Sequence, residues 1–118
     1  MNLTDSQQFN VDLTNFNGPL DVLLDLAKSQ KVDLEKISVT KLADQFHTFI
    51  TTAKDINLEL ASEYLLMATW LTYLKSKLLL PESDEEEFKI FEVAEKLKLQ
   101  LKKLELIRLL SDQMLKRK

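Results

Sequence analysis

The residue types that perform catalysis are scarce in this chain of 118 residues, and poorly spaced. His47 is the single histidine, which excludes paired-histidine metal sites, and between Phe46 and Phe49 it reads as a helix-surface residue. Ser62, Thr69 and Thr72 have no base close in sequence to activate a hydroxyl nucleophile. The one glycine, Gly18, cannot build a phosphate-cradling loop and is better explained, next to Pro19, as a helix entrance. Glu85, Glu86 and Glu87 are consecutive, and successive helical residues point in different directions, so they cannot converge on a cation. No catalytic, metal-ligating or cofactor-binding residue is expected. The remaining chemistry is recognition by helical surface.

The segment that offers such a surface lies between Asn57 and Pro81. Leu60, Tyr64, Met67, Leu71, Leu74 and Leu78 recur at spacings of four and three, the seam of a coiled-coil-like helix. A second row, Leu66, Trp70, Tyr73, Lys77 and Leu80, repeats that spacing on another side, with Ala61, Leu65 and Ala68 between the rows. A helix apolar most of the way round is either buried on all sides or awaits a partner. Trp70 and Tyr73 are residue types that concentrate energy at interfaces, though aromatic residues at helical spacing also serve as core. Periodicity does not say which row faces inward. The expected arrangement has Ala61, Leu65, Ala68 and part of the heptad row facing the preceding helices, with the heptad row's edge meeting a partner.

Composition bounds what positions this helix. Gly 1 and Pro 2, with Leu, Lys and Glu abundant, predict a few long helices with short joints rather than a sheet. The absence of cysteine removes disulfide and thiolate-metal frameworks, and the first residues lack the basic and apolar regions of a signal peptide. Glu59, Glu63, Lys75 and Lys77 interrupt the apolar stretch and argue against a membrane span. A net charge of -3 does not suggest autonomous DNA binding. Acids at the start of the last helix and bases further along complement its macrodipole instead.

Along the chain, residues 1–8 read as a disordered tail, and Phe9, Val11, Leu13 and Phe16 as a short extended or β segment. A first helix is predicted at about 19–29, a second at about 39–54 capped by Ser38, and a third capped by Asn57 and stopped by Pro81. Asp33 could cap one further turn between the first two. After an acidic hinge, a fourth helix capped by Ser83 or Asp84 runs from about 85 to 116. Its seam, Ile90, Ala94, Leu97, Leu101 and Leu104, fails at Arg108, where Ile107, Leu110 and Met114 take over on a rotated face. Part of this helix is expected to lack a partner within the chain. The fold class is all-α: a small bundle of three helices plus a long fourth, with the short extended segment in front.

Specific words in this chain resemble a known family. The pattern F-x-G-P-L-D-x-L-L at residues 16–24, D-L-x-x-I-S at 33–38, A-S-E-Y-L-x-M-A-x-x-L at 61–71 and K-S-K-L-L-L-P at 75–81 look like the N-terminal region of the bacterial kleisin family of segregation and condensation protein A. The resemblance implies a non-enzymatic subunit of a condensin-like complex for chromosome condensation and segregation, cytoplasmic and associated with the nucleoid. It implies an N-terminal helical domain over residues 9–81, with residues 82–118 beginning a middle region; the chain, ending mid-pattern, reads as an N-terminal fragment. The implied partners are the coiled-coil neck of the structural maintenance of chromosomes ATPase and a dimer of segregation and condensation protein B, with DNA contacted only indirectly. Carried onto this sequence, the neck-binding candidates are Leu60, Tyr64, Met67, Leu71, Leu74 and Leu78, or the alternative row Leu66, Trp70 and Tyr73. Leu97, Leu101 and Leu104 are the weaker candidates for the accessory protein. A self-associating helical scaffold is the alternative of a different class.

Overall fold

The computed structural model describes residues 18–52 and 58–116, with side chains in the second stretch from Ser62 onward. Four α-helices and one 3-10 turn make up the described residues: α1 (Pro19–Lys28), the turn Leu34–Lys36, α2 (Val39–Thr52), α3 (Leu58–Leu79) and α4 (Asp84–Lys116). The expected all-α bundle is what the chain adopts, and no strand occurs among the described residues. The predicted tail, the extended segment at 9–16, the Asn57 cap and the side chains of Leu60 and Ala61 lie outside them.

Helices α1, α2 and α4 each begin for a local reason. Gly18 sits at φ 140, a conformation that L side chains rarely adopt, and Pro19 follows with its φ already set for a helix. A Cβ on Gly18 would meet nothing within 4 Å, so backbone conformation and not space selects glycine there. Lys31, at φ 61, turns the chain out of α1. Ser38 caps α2 as expected, its Oγ accepting the Lys41 N–H at 3.1 Å. Ser83 does the same for α4, accepting the Glu86 N–H at 3.1 Å, while the Glu86 carboxylate reaches back to the Glu82 N–H at 2.7 Å, a variant of the capping box. Asp33 makes no such side-chain bond to the 3-10 turn.

A pair of glutamines sets the angle between α1 and α2. Gln30 donates from Nε2 to the Ser38 carbonyl and accepts the Ser38 N–H through Oε1 at 2.9 Å, clamping both backbone groups of the α2 cap. It also donates to Gln45 Oε1, and Gln45 in turn donates to Ser29 Oγ and the Leu26 carbonyl. At the end of α1 the network adds Gln45 to the donors on the Leu26 carbonyl, which also accepts the Ser29 N–H.

The core runs through all four helices. Val22, Leu23, Leu24 and Ala27 from α1 meet Leu42, Phe46 and Phe49 from α2, Tyr64, Leu71 and Leu74 from α3, and Ile90, Ala94, Leu97 and Leu101 from α4. The rings of Phe46 and Tyr64 stack with centroids 6.1 Å apart and planes 6° from parallel. Helix α2 packs most extensively on α3, and α4 lies against α1, α3 and the 3-10 turn.

Helix α4, about 50 Å long at 1.5 Å per residue, therefore folds back rather than projecting throughout its length. Its basic residues help hold it. Lys102 donates to the Glu35 carboxylate at 2.6 Å and Lys98 to the Glu35 carbonyl at 3.2 Å, tying the helix to the 3-10 turn. Arg108 continues the four-three spacing of Leu97, Leu101 and Leu104, and makes ion pairs with α1 in place of apolar packing. Its Nη1 donates to Asp25 at 2.8 Å, and its Nη2 to Asp21 Oδ1 at 2.9 Å and the Asp21 carbonyl at 3.2 Å. Burial opposes the Arg108 charge, but Asp25 and Asp21 more than offset it and raise its pKa. Beyond Arg108, residues 109–116 are exposed, so only the end of the helix fits the expectation of an unpartnered segment.

Candidate partner-binding face

The two rows of α3 have different fates. Tyr64, Leu71 and Leu74 are buried, and Met67 and Leu78 pack partly buried against them. This heptad row belongs to the chain's own core. On the opposite side, Leu66 is 72% exposed, Tyr73 57% and Trp70 39%. Leu65 is exposed as well, so where it was expected to pack towards α1 and α2 it lies open on the side of α2. The reason is geometric: α1 and α2 both approach α3 from the Tyr64 side, and α4 closes the same core, so that among the described residues no helix covers the Leu66, Trp70, Tyr73 row.

Two shallow apolar grooves flank this row. One, of about 510 Å³, is lined by Leu66, Met67 and Trp70 of α3, Pro19 and Leu20 of α1, and Leu97 and Gln100 of α4, with Glu63 at its edge. The other, of about 460 Å³, lies towards α2 between His47 and the α3 residues Leu65, Ala68, Thr69, Thr72 and Tyr73. His47 is thus a surface residue at a groove edge, as its sequence context indicates.

At the end of α3, Lys77 places its Nζ 5.8 Å from the centroid of the Tyr73 ring. The same ammonium pairs with Glu82 at 3.2 Å and Glu86 at 3.3 Å across the joint to α4. Hydrogen bonds from Lys77 to Glu82 and Glu86 raise its pKa. Lys75, the other lysine of the K-S-K word, bridges to Asp44 of α2 at 2.6 Å. These lysines join helices, a role their positions in the sequence did not reveal.

The candidate residues on α4 share one fate. Leu97 and Leu101 are buried and Leu104 is partly buried, so all three face the body of the bundle. α4 leaves apolar side chains open near its start, at Phe88 and Phe91, and at its end, where Leu106, Ile107, Leu110 and Met114 are exposed.

One buried polar group is left over. Among the described residues Tyr64 Oη has no hydrogen-bond partner, and burial, with Asp21 and then Glu63 nearby, pushes its pKa up to about 12. A phenol held neutral and enclosed is no catalytic acid. No cluster among the described residues could hold a metal ion, and no helix among them is long and apolar enough to cross a membrane.

The fold is a small all-α bundle that buries one side of α3 and leaves its aromatic other side exposed. Comparison with known proteins identifies its kind. The family described as segregation and condensation protein ScpA matches residues 26–116. Segregation and condensation protein A of Mycoplasma mobile is 46% identical over 84 residues, covering 70% of this chain and 34% of that protein. The protein of the same name from Bacillus cytotoxicus is 42% identical over 79 residues, covering 67% of this chain and 32% of its own length. That of Bacillus pumilus is 40% identical over 81 residues, covering 69% and 32% respectively. The chain belongs to the segregation and condensation protein A family and spans about a third of the length of these relatives. No solved structure matches it.

Proposed function

We propose that this chain acts as the N-terminal part of a kleisin in a bacterial condensin-like complex, a non-enzymatic role in chromosome condensation and segregation. Its α3 helix docks on the coiled-coil neck of a structural maintenance of chromosomes protein, and residues 9–81 form the docking domain. The observation that carries this reading is the exposure of Leu66, Trp70 and Tyr73 on a helix whose other row is already core. Such a row is an anchor pattern for helix-in-groove association, with a tryptophan and a tyrosine one turn apart.

Of the two candidate rows, the buried one would have to leave the core before meeting a partner. The exposed one is already available, so Leu66, Trp70 and Tyr73 are assigned the contact. By the same reasoning, a segregation and condensation protein B dimer would meet the open end of α4 at Ile107, Leu110 and Met114 rather than the inward-facing Leu97 and Leu101. The neck and the accessory dimer then use different residues of the chain, and DNA is reached only through the assembled complex.

The test is calorimetric titration of the chain with a purified head and neck of a structural maintenance of chromosomes protein. Binding by the parent and its loss in Trp70→Glu, with the helical circular dichroism intact, is the expected result. Equal binding by both removes the assignment. A tight dimer in sedimentation, together with no binding to the neck, would favour a self-associating scaffold.

A further inference from the structure

The groove beside Trp70 is walled on three sides. Leu66 and Trp70 of α3 form one wall, Leu97 and Gln100 of α4 another, and Pro19 and Leu20, at the start of α1, the third. The third wall matters because the chain enters α1 through it. Residues 1–17, which lie outside the described residues, lead through Gly18 directly to the rim of the groove.

The sequence of that entering stretch matches the groove in character and in reach. Phe9, Val11 and Leu13 alternate with Asn10, Asp12 and Thr14, so an extended chain puts the apolar side chains on one face and the polar ones on the other. At about 3.3 Å per residue, residues 9–17 reach roughly 30 Å, whereas α3 from Glu63 to Trp70 covers about 10 Å. A segment tethered to one wall of a groove acts at an effective concentration on the order of millimolar, so even weak apolar packing fills it. No untethered occupant has that advantage. The open side of the groove leaves one edge of the segment to water, as its backbone N–H and C=O groups require, and the exposed Gln100 offers an amide on the rim.

We infer that the groove is the seat of the chain's own residues 9–16, with Phe9, Val11 and Leu13 turned onto Leu66, Trp70 and Leu97. Leu66 and Trp70 are also assigned the neck contact, so, resting on that assignment, segment and neck compete for one surface. The segment is then an internal cover that a partner displaces, and apparent affinity falls in proportion to the fraction of chains whose groove is open.

Trp70 is the single tryptophan of the full chain and reports on the groove directly. In a Phe9→Ser, Val11→Ser, Leu13→Ser variant its emission should move to longer wavelength and acrylamide should quench it more strongly, with the helical circular dichroism unchanged. Identical emission and quenching in parent and variant overturn the inference. Because the chain has no cysteine, placement is tested separately by pairing Leu13→Cys with Gln100→Cys, or with Thr48→Cys at an exposed position on α2. A short bismaleimide at dilute protein should link the first pair several-fold more than the second; equal yields overturn the seat even where the serine variant misfolds. With a purified head and neck, the serine variant should bind about threefold or more tighter than the parent. Equal affinity alongside the emission shift keeps the seat and removes the competition. Undiminished binding by Trp70→Glu removes the docking assignment, while the seat stands or falls on Trp70 emission and the thiol link.

Discussion

The two faces of α3 have nearly the same sequence spacing and opposite roles. One carries Tyr64, Leu71 and Leu74 into a core shared by all four helices; the other holds Leu66, Trp70 and Tyr73 at the surface. Apolar character does not separate them, because the exposed face is the more aromatic of the two. What separates them is neighbours: α1, α2 and α4 all converge on the Tyr64 side, and the core is complete without the other row. An apolar row left over after the core is closed is more informative about function than the core itself.

The largest effect expected from breaking this comparison comes from the buried face. Leu71→Ala removes a fully enclosed side chain at the junction of the helices and should destabilise the chain by about 2–5 kcal/mol in a chemical melt. A loss well under 1 kcal/mol would mean that the core is not closed around Leu71 as described. For the same reason, a charge at Leu71 would report on folding before it reported on any partner. Trp70→Glu is the counterpart on the open face. It should shift stability by less than about 1 kcal/mol, yet weaken neck binding by about 2 kcal/mol or more, roughly thirtyfold. Equal effects of the two substitutions on folding would erase the distinction between the faces.

How much of this was legible before the structure follows from the range of the interactions involved. The helix starts at Pro19, Ser38 and Ser83 depend on residues within one turn, and α1, α2 and α4 begin within a residue of their expected positions. The core identity of α1 and α2 was legible too, since each has one apolar stripe. The choice between the rows of α3 was not, because two stripes of equal spacing are distinguished only by the helices that pack on them. Arg108 marked where the seam of α4 fails, but its partners, Asp21 and Asp25, are more than eighty residues away. The bonds between Gln30, Gln45 and Ser38, and from Lys102 to Glu35, likewise depend on tertiary approach. For that reason the sequence alone shows the basic residues of α4 only as complements to the helix macrodipole.

A smaller effect sharpens the buried face. Tyr64 is fully enclosed but its hydroxyl has no partner among the described residues, so Tyr64→Phe should leave stability unchanged or raise it by up to about 1 kcal/mol. The alkaline behaviour gives the sign independently. In the unfolded chain the phenol ionises near 10.0, whereas in the bundle it resists ionisation up to about 12. The folded state therefore retains a proton that the unfolded state has lost, and stability falls as pH rises through this window. Urea melts at pH 9 and pH 11 should show a steeper loss for the parent than for Tyr64→Phe. The same slope in both would place the hydroxyl in contact with water or a hydrogen-bond partner.

The smallest expected effect lies at the joint where α3 passes into α4. The Glu82 N–H bond holds the Glu86 carboxyl below its ordinary pKa of 4.5; burial opposes the shift and Lys77 reinforces it. A depressed carboxyl favours the folded state above its unfolded pKa, and that contribution is lost as pH falls through the folded value. Lys77 stays charged throughout this range, so only the carboxyl side of the pair titrates. Glu86→Gln should therefore melt slightly below the parent at pH 7 and converge with it at pH 3, with the difference at pH 7 reduced in 1 M salt. Because Lys77 also lies against Tyr73, the tyrosine fluorescence of a Trp70→Phe, Tyr64→Phe background, in which Tyr73 is the single emitter, would show whether loosening this joint disturbs the open face. An unchanged Tyr73 signal between Glu86 and Glu86→Gln forms would make the joint and the open face independent, whereas a shift would tie the direction of α4 to the face that carries Trp70.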